Sequence, residues 1–205
     1  MRWDIQILKR FVPSVLCNTR DENIHLTFDD GPHPIATPLV LRELRAHNIQ
    51  ATFFLLGQNA LKYPDLVRKI HADGHQIANH SFQHTNLIFK NKAIVRDEIQ
   101  RTKEVLETLI GTHSRYFRPP YGYFDWRTLK VLREYGLTCV LWDVDSRDYR
   151  LHSTADIVTR VQRNTTNGSI LLFHDNALTS EKPKSYLPAL LDYLMNKKFT
   201  FKTLP

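Results

Sequence analysis

Short apolar runs alternate along this chain with longer stretches in which apolar residues recur every three or four positions. The periodic stretches predict helices, the longest at residues 92–110, where Gly111 ends it. The short runs are typical of buried strands, and they fall near residues 24–28, 51–56, 75–79, 116–118, 138–144, 169–173 and 199–201. This alternation, without a linker or internal repeat, predicts one α/β domain with a closed or nearly closed parallel sheet of about seven strands.

The segment before the first strand gives a weaker pattern. We interpret residues 1–23 as an N-terminal segment that leads into the domain, and residues 24–205 as the domain itself. Lys9 and Arg10 precede an apolar stretch that is shorter than most signal-peptide cores, and Asp4 lies where such a peptide is positive. A signal peptide is therefore not predicted, and the compartment is left open. No apolar run in the sequence is long enough to span a membrane.

Composition adds a modest positive charge. The 205 residues include 28 basic and 21 acidic side chains, for a formal net charge of +7. Because the basic residues are scattered, a basic surface is favoured over a dedicated anionic partner such as a cell-wall polymer. No nucleic-acid motif or basic stripe is visible, so nucleic acid is not an expected partner. Cys17 and Cys139 lie far apart in the sequence and are expected to be buried and unbridged.

Four polar residues follow two of the predicted strands. Asp29 and Asp30 end the run at residues 24–28, and two adjacent carboxylates repel one another unless a cation lies nearby. His80 and His84 follow the run at 75–79 and are expected to share one face of a helical turn. Asp30 with these two imidazoles would give a divalent metal three protein ligands and leave a position open. That arrangement is typical of a catalytic metal site.

Two further strand ends carry candidate chemistry. Arg118 enters a rigid Pro-Pro loop that fixes the backbone of Tyr121, whose N–H is a candidate oxyanion donor. His174 ends a fully apolar strand, and with Asp148 as its partner it is a candidate acid or base. Active-site residues of parallel barrels collect at the C-terminal ends of the strands. These residues are therefore expected to lie together.

Five segments, taken in order, resemble the motifs of the polysaccharide deacetylase family, also called the NodB-homology domain or carbohydrate esterase family four. They are TFDDGP at 27–32, HSFQH at 80–84, RPPY at 118–121, DSRDY at 145–149 and LLFHD at 171–175. The resemblance extends from about residue 24 to the end of the chain. It implies a distorted (β/α) barrel that removes acetyl groups from N-acetylated sugars.

The resemblance implies a metal centre with a neighbouring base. Asp30, His80 and His84 correspond to the ligands of one divalent metal. Asp29 corresponds to the general base, and Arg118 to the residue that orients it. Zinc is the expected ion, although one carboxylate and two imidazoles also accept cobalt, nickel or iron.

The resemblance also implies the acid and the substrate contacts. His174 corresponds to the general acid, with Asp148 tuning it, and Tyr121 would give its backbone N–H to the oxyanion. Leu172 would line the pocket for the acetyl methyl. Tyr149 stands where the family usually carries tryptophan, which affects the shape of that pocket.

Three functions follow as hypotheses, all with an acetylated glycan as the partner. The first is N-deacetylation of N-acetylglucosamine units in chitin oligomers or peptidoglycan. An O-acetyl esterase acting on xylan could use the same water and metal. A non-catalytic carbohydrate-binding barrel is disfavoured because Asp29 and His174 are both present. The sequence does not specify the oligomeric state.

Overall fold

The computed structural model describes residues 15–112, 114–151 and 153–205, which form a parallel sheet covered by helices. Its strands run in the order β1-β6-β5-β4-β3-β2-β8-β7, with β9 beside β2, and every neighbouring pair is parallel. The strands are β1 (Val15–Leu16), β2 (Asn23–Asp29), β3 (Thr52–Leu55), β4 (Gln76–Asn79), β5 (Tyr116–Phe117), β6 (Thr138–Val140), β7 (Val144–Asp145), β8 (Ile170–His174) and β9 (Thr200–Phe201).

The sheet confirms a distorted barrel, but its main path has eight parallel strands and not about seven. One additional strand is β1, which pairs with β6. The other arises because the run at residues 138–144 forms two strands, β6 and β7, which lie near the two opposite edges of the sheet. Residues 141–143 cross between them. The Leu141 N–H donates to the Leu16 carbonyl, and the Asp143 N–H donates to the Ile170 carbonyl. An apolar run gives no sign of such a crossing.

Seven α-helices connect the strands of the described chain. Three of them have side-chain N-caps: Asn91 accepts from the Ile94 N–H, Asp125 from the Arg127 N–H, and Ser153 from the Asp156 N–H. The longest helix has the predicted bounds, residues 92–110. The helices are α1 (Ala36–Ala46), α2 (Gly57–Lys62), α3 (Pro64–Ala72), α4 (Lys92–Ile110), α5 (Trp126–Glu134), α6 (Thr154–Asn164) and α7 (Pro183–Asn196).

An aromatic stack joins the central strands to α7. The rings of Phe53, Phe28 and Phe173 follow one another with centroids 5.2 and 5.6 Å apart, and Tyr186 of α7 continues the stack at 5.8 Å. All four side chains are fully buried, and each phenylalanine contributes about 1.5–3 kcal/mol through burial alone. The stack therefore fixes β8, which carries His174, against β2, which carries Asp29.

Two other expectations concern the whole chain. Cys17 and Cys139 are both buried, and no disulfide joins them in the described structure. Among the described helices, none is long and apolar enough to cross a membrane.

Candidate active site

A fully buried arginine organises the end of β2. The Nη1 of Arg118 donates to Asp29 Oδ1 at 2.6 Å and to Thr27 Oγ1 at 2.8 Å, while its Nη2 donates to the Leu141 carbonyl at 3.1 Å. Its guanidinium lies 4.0 Å from the centroid of the Phe54 ring. Burial lowers the pKa of Arg118, and the charge of Asp29 opposes that shift. Because removing either charge would leave the other buried and uncompensated, the two residues form one structural unit.

Asp30 turns its carboxylate toward the two motif histidines. Its backbone has a φ of 73°, and the Asn59 amide donates to its carbonyl at 2.8 Å. The Asn176 amide donates to Oδ2 at 2.8 Å. The other oxygen, Oδ1, lies 3.3 Å from His80 Nε2 and 3.2 Å from His84 Nε2, and it is buried without a hydrogen-bond partner. The structure thus brings together the three predicted metal ligands, whose ligating atoms all lie within 4.8 Å of one another.

The protonation of this cluster also fits a cation. His80 Nδ1 lies 2.7 Å from the Arg118 carbonyl, which can only accept, so the neutral ring carries its hydrogen on Nδ1. Its Nε2 lone pair then faces Asp30. Burial, followed by the charge of His80, lowers the pKa of His84. Burial raises the pKa of Asp30, but the close approach of His80, followed by the nearby His174 and His84, outweighs that effect and holds the pKa well below the usual range. A carboxylate and two imidazoles are a suitable donor set for zinc.

The loop that carries both histidines is not the helical turn that the spacing predicted. Ser81 and His84 have φ values of 71° and 61°, which a right-handed helix excludes. Glu98, buried on α4, holds the loop in place. Its Oε2 accepts from the N–H groups of Phe82 and Gln83 at 2.7 and 2.9 Å. The histidines therefore converge because a helix outside the barrel fixes the loop.

His174 pairs with Asp148 on the opposite side of Asp29. It is the register partner of Asp29 in β8, and its Nδ1 lies 2.8 Å from Asp148 Oδ1. Asp148 Oδ2 accepts from the His174 N–H at 2.8 Å and from the Tyr186 hydroxyl at 3.2 Å. Burial lowers the pKa of His174, but the charge and hydrogen bond of Asp148 outweigh it, followed by Asp30 and Asp29. The result is a pKa of about 9. This imidazole therefore carries a proton at neutral pH.

The three predicted substrate contacts surround this centre. The ring of Tyr121, whose φ is 60°, meets the His84 ring edge-on with centroids 4.5 Å apart. The Tyr149 ring meets the His174 ring edge-on at 5.0 Å. Leu172 is buried two residues before His174, so both side chains leave β8 on the same face.

Several supporting residues carry no strong sequence signal. Besides Glu98 and Asn176, the fully buried Asp175 accepts a 2.5 Å hydrogen bond from the Thr37 hydroxyl. Asp175 also lies against Gly31, where a Cβ would overlap its carboxylate. Only the position of Asp175 and Asn176 directly after His174 could have suggested them.

One carboxylate within the apolar run at residues 138–144 lies away from this site. Asp143 belongs to the crossing segment, and its carboxylate accepts from the Asn18 amide at 2.7 Å and from the Ile170 N–H at 2.8 Å. Ile170 begins β8, whereas His174 ends it. Asp143 therefore supports the opposite end of the barrel from the candidate site.

A distorted parallel barrel with an Asp-His-His cluster and a His–Asp pair at the strand ends defines a class of metal-dependent hydrolases. The sequence profile of the polysaccharide deacetylase family matches residues 17–140, which is more than half of the chain. The chain belongs to this family.

Named relatives support the same assignment. The chain is 38% identical over 189 residues to a peptidoglycan-N-acetylglucosamine deacetylase of Bacillus cereus, covering 89% of this chain and 66% of the relative. It is 39% identical over 160 residues to a chitooligosaccharide deacetylase of Azorhizobium caulinodans, covering 78% and 76%. The chain thus spans about two thirds of the Bacillus relative's length.

A solved structure shows how far the fold is shared. A peptidoglycan N-acetylglucosamine deacetylase in complex with 4-naphthalen-1-yl-N-oxidanyl-benzamide superposes with a TM-score of 0.91 at 34% identity. The superposition covers 98% of this chain and 94% of that one. Almost the entire chain therefore has a counterpart in that enzyme.

Proposed function

We propose that this protein is a metal-dependent N-deacetylase that hydrolyses the N-acetyl groups of N-acetylglucosamine units in a polysaccharide or oligosaccharide. One observation carries the proposal. The buried, unpartnered Asp30 Oδ1 meets two imidazole nitrogens beside the Asp29–Arg118 pair and the His174–Asp148 pair. The names of the relatives, which are peptidoglycan and chitooligosaccharide deacetylases, agree with it.

Asp30, His80 and His84 would hold one divalent ion, for which we propose zinc. When bound, the ion supplies a Lewis acid that polarises the acetamide carbonyl and acidifies the attacking water. The Nδ1–H of His80 would donate to the Arg118 carbonyl, which leaves the Nε2 lone pair free to bind the ion.

Asp29 would act as the general base. Its Oδ1 is fixed by Arg118, while its Oδ2 lies 3.7 Å from His80 Nε2 and faces the ligand cluster. Oδ2 can therefore take a proton from the water whose oxygen attacks the acetyl carbon. The backbone N–H of Tyr121, on a turn fixed by the hydrogen bond from Gly122 to Pro119, would stabilise the oxyanion.

His174 would complete the reaction as the general acid. Its contact with Asp148 keeps His174 protonated at neutral pH. His174 can therefore donate a proton to the sugar nitrogen as the C–N bond breaks. The products are acetate and a free amine. Leu172 and Tyr149 would border the acetyl methyl, with the tyrosine ring taking the place of the usual tryptophan.

Acetate release tests this proposal. The zinc-loaded protein should release acetate from chitooligosaccharides or from peptidoglycan fragments, and chelator treatment should abolish the release until zinc is restored. Fluorescent labelling of the new amines identifies the bond that is cleaved. Absence of acetate from every N-acetylated glycan, with metal bound and the fold intact, would refute the proposal.

Asn176 provides a prediction about metal affinity. Its Oδ1 caps the short helix Ala177–Thr179, while its Nδ2 donates to Asp30. Asn176→Ser keeps a capping oxygen but loses the amide donor that orients the ligand. We expect zinc affinity, measured by chelator competition, to fall by about 10–100-fold without a change in the Tm of the metal-free protein. Asn91→Ser, at the N-cap of α4, is the matched control. An Asn176→Ser protein with wild-type zinc affinity would contradict this role.

A further inference from the structure

Two helix starts adjoin the candidate active site and form one surface. The helices α4 and α5 follow β4 and β5, so their first turns lie at the same end of the barrel as the motif histidines. Asp125 joins them. Its Oδ2 accepts from the Phe89 N–H at 3.2 Å, and its Oδ1 accepts from the Arg127 N–H at 2.9 Å. The loop before α4 and the start of α5 are therefore held together.

Exposed aromatic rings lead from the metal cluster to this surface. Beyond its contact with His84, the Tyr121 ring has the Tyr123 ring at 6.4 Å. Tyr121, Trp126 and Phe89 are 58%, 62% and 80% exposed. Single exposed aromatic residues are common, but no more than about 17 Å of chain separates Tyr121, beside the predicted ligand His84, from Trp126. The Phe89 N–H donates to Asp125, the residue before Trp126. We call Phe89, Tyr121, Tyr123 and Trp126 the aromatic track. Their rings offer flat apolar faces of the kind on which sugar rings pack.

Basic side chains lie against the Trp126 ring of the aromatic track. Lys92 Nζ lies 5.6 Å from the Trp126 ring centroid, and Arg127 lies 4.8 Å from it. Lys130 follows Trp126 by one helical turn on α5, and both residues line one cavity, so the Lys130 ammonium lies near Lys92. The presence of Lys130 lowers the pKa of Lys92. The nearby carboxylates already have partners, since Glu134 pairs with Arg96 at 2.7 Å and Asp125 with Arg127 at 3.0 Å. Lys92 and Lys130 therefore leave a local surplus of positive charge.

We propose that the aromatic track and the Lys92–Lys130 pair form an extended subsite for a glycan that carries carboxylates. This inference rests on the proposed N-deacetylase function and specifies its substrate class. The rings would hold successive sugars, and the two ammonium groups would bind an acidic substituent on a sugar away from the cleaved bond. Peptidoglycan strands freed of their stem peptides have this chemistry, because the lactyl group on alternate sugars then ends in a free carboxylate, whereas chitin oligomers carry none.

The test compares three substrates with the full chain in its zinc-loaded form. They are peptidoglycan strands freed of stem peptides, the same strands with their carboxylates amidated, and an uncharged chitooligosaccharide. We expect Lys92→Gln/Lys130→Gln to raise KM about 3- to 10-fold on the acidic strands only, with kcat unchanged, because two exposed ion pairs are lost. High salt should also raise the KM of the wild type on the acidic strands, because it screens these ion pairs. Trp126→Ala should raise KM on all three substrates about 3- to 10-fold.

The matched control is Lys197→Gln/Lys198→Gln, which removes the same charge after the last residue of α7. It should leave KM unchanged on every substrate. Acetate release from all three substrates, with equal effects of Lys92→Gln/Lys130→Gln on the acidic and amidated strands or with none, overturns the inference and leaves the deacetylase function standing. Absence of acetate from all three overturns both.

Discussion

Asp29→Asn is expected to lower kcat by about 10²–10⁴-fold, because an amide cannot take the proton of the attacking water. Zinc affinity should change little, since Asp29 is not one of the three clustered ligands. The same substitution should lower the free energy of unfolding by about 3 kcal/mol, because it leaves the buried guanidinium of Arg118 without its counter-charge. Acetate-release kinetics and urea unfolding of the metal-free protein measure the two effects separately.

Two further variants make that result specific. Asp143→Asn is the same chemical change at a carboxylate that binds the start of β8, and it should leave kcat unaltered. The double variant Asp29→Asn/Arg118→Met should lose less stability than the sum of the single variants, since it removes both members of one buried pair. An Asp29→Asn enzyme within tenfold of the wild-type kcat would exclude Asp29 as the base.

His174→Gln is expected to lower kcat by about 10²–10⁴-fold, because the leaving amine then lacks its proton donor. Asp148→Asn should have a different signature. Since Asp148 raises the pKa of His174 to about 9 and burial alone lowers it, removing that charge should move the alkaline limb of the kcat profile to lower pH. The wild type should lose activity as the pH rises through the pKa of His174. The profiles are recorded from about pH 5 to about pH 10, a range that brackets both protonation states of His174.

The stability of the fold should also depend on the protonation of His174. The folded-state pKa of His174 is raised from 6.5 to about 9, so the charged pair stabilises the fold fully below pH 6.5 and loses that contribution as the pH rises through 9. Asp148→Asn should remove this alkaline loss from the Tm profile. His47→Gln, at a second His–Asp pair that joins α1 to α7, is the control and should leave the activity profile unchanged. An Asp148→Asn enzyme with the wild-type alkaline limb would contradict the assignment.

The sequence predicted the elements that local chemistry specifies. The apolar run of β8 and the end of α4 at Gly111 depend on neighbouring residues, so the sequence pattern alone located them. The crossing at residues 141–143 begins with the apolar Leu141 and Trp142, like the strands around it. Hydrogen bonds to the Leu16 and Ile170 carbonyls, near the two edges of the sheet, separate it from those strands. Its position depends on distant partners, which periodicity does not encode.

The candidate site shows the same division. The convergence of Asp30, His80 and His84 followed from their places after strands. The shape of the histidine loop did not, because Glu98, fourteen residues beyond His84, imposes it through backbone hydrogen bonds. Asn176 was missed for a similar reason. An amide beside a capped turn has many structural uses, and only the 2.8 Å contact with Asp30 connects it to the ligands.

Arg118 serves the site through two chemically separate parts of one residue. Its side chain holds Asp29, whereas its main-chain carbonyl holds His80. A change of side chain at this position can alter the first contact and still keep the second, because every amino acid has a carbonyl. Hydrolysis and ion retention can therefore diverge during evolution. A descendant with a different side chain at position 118 would lose the contact that orients Asp29 and keep the carbonyl that orients His80.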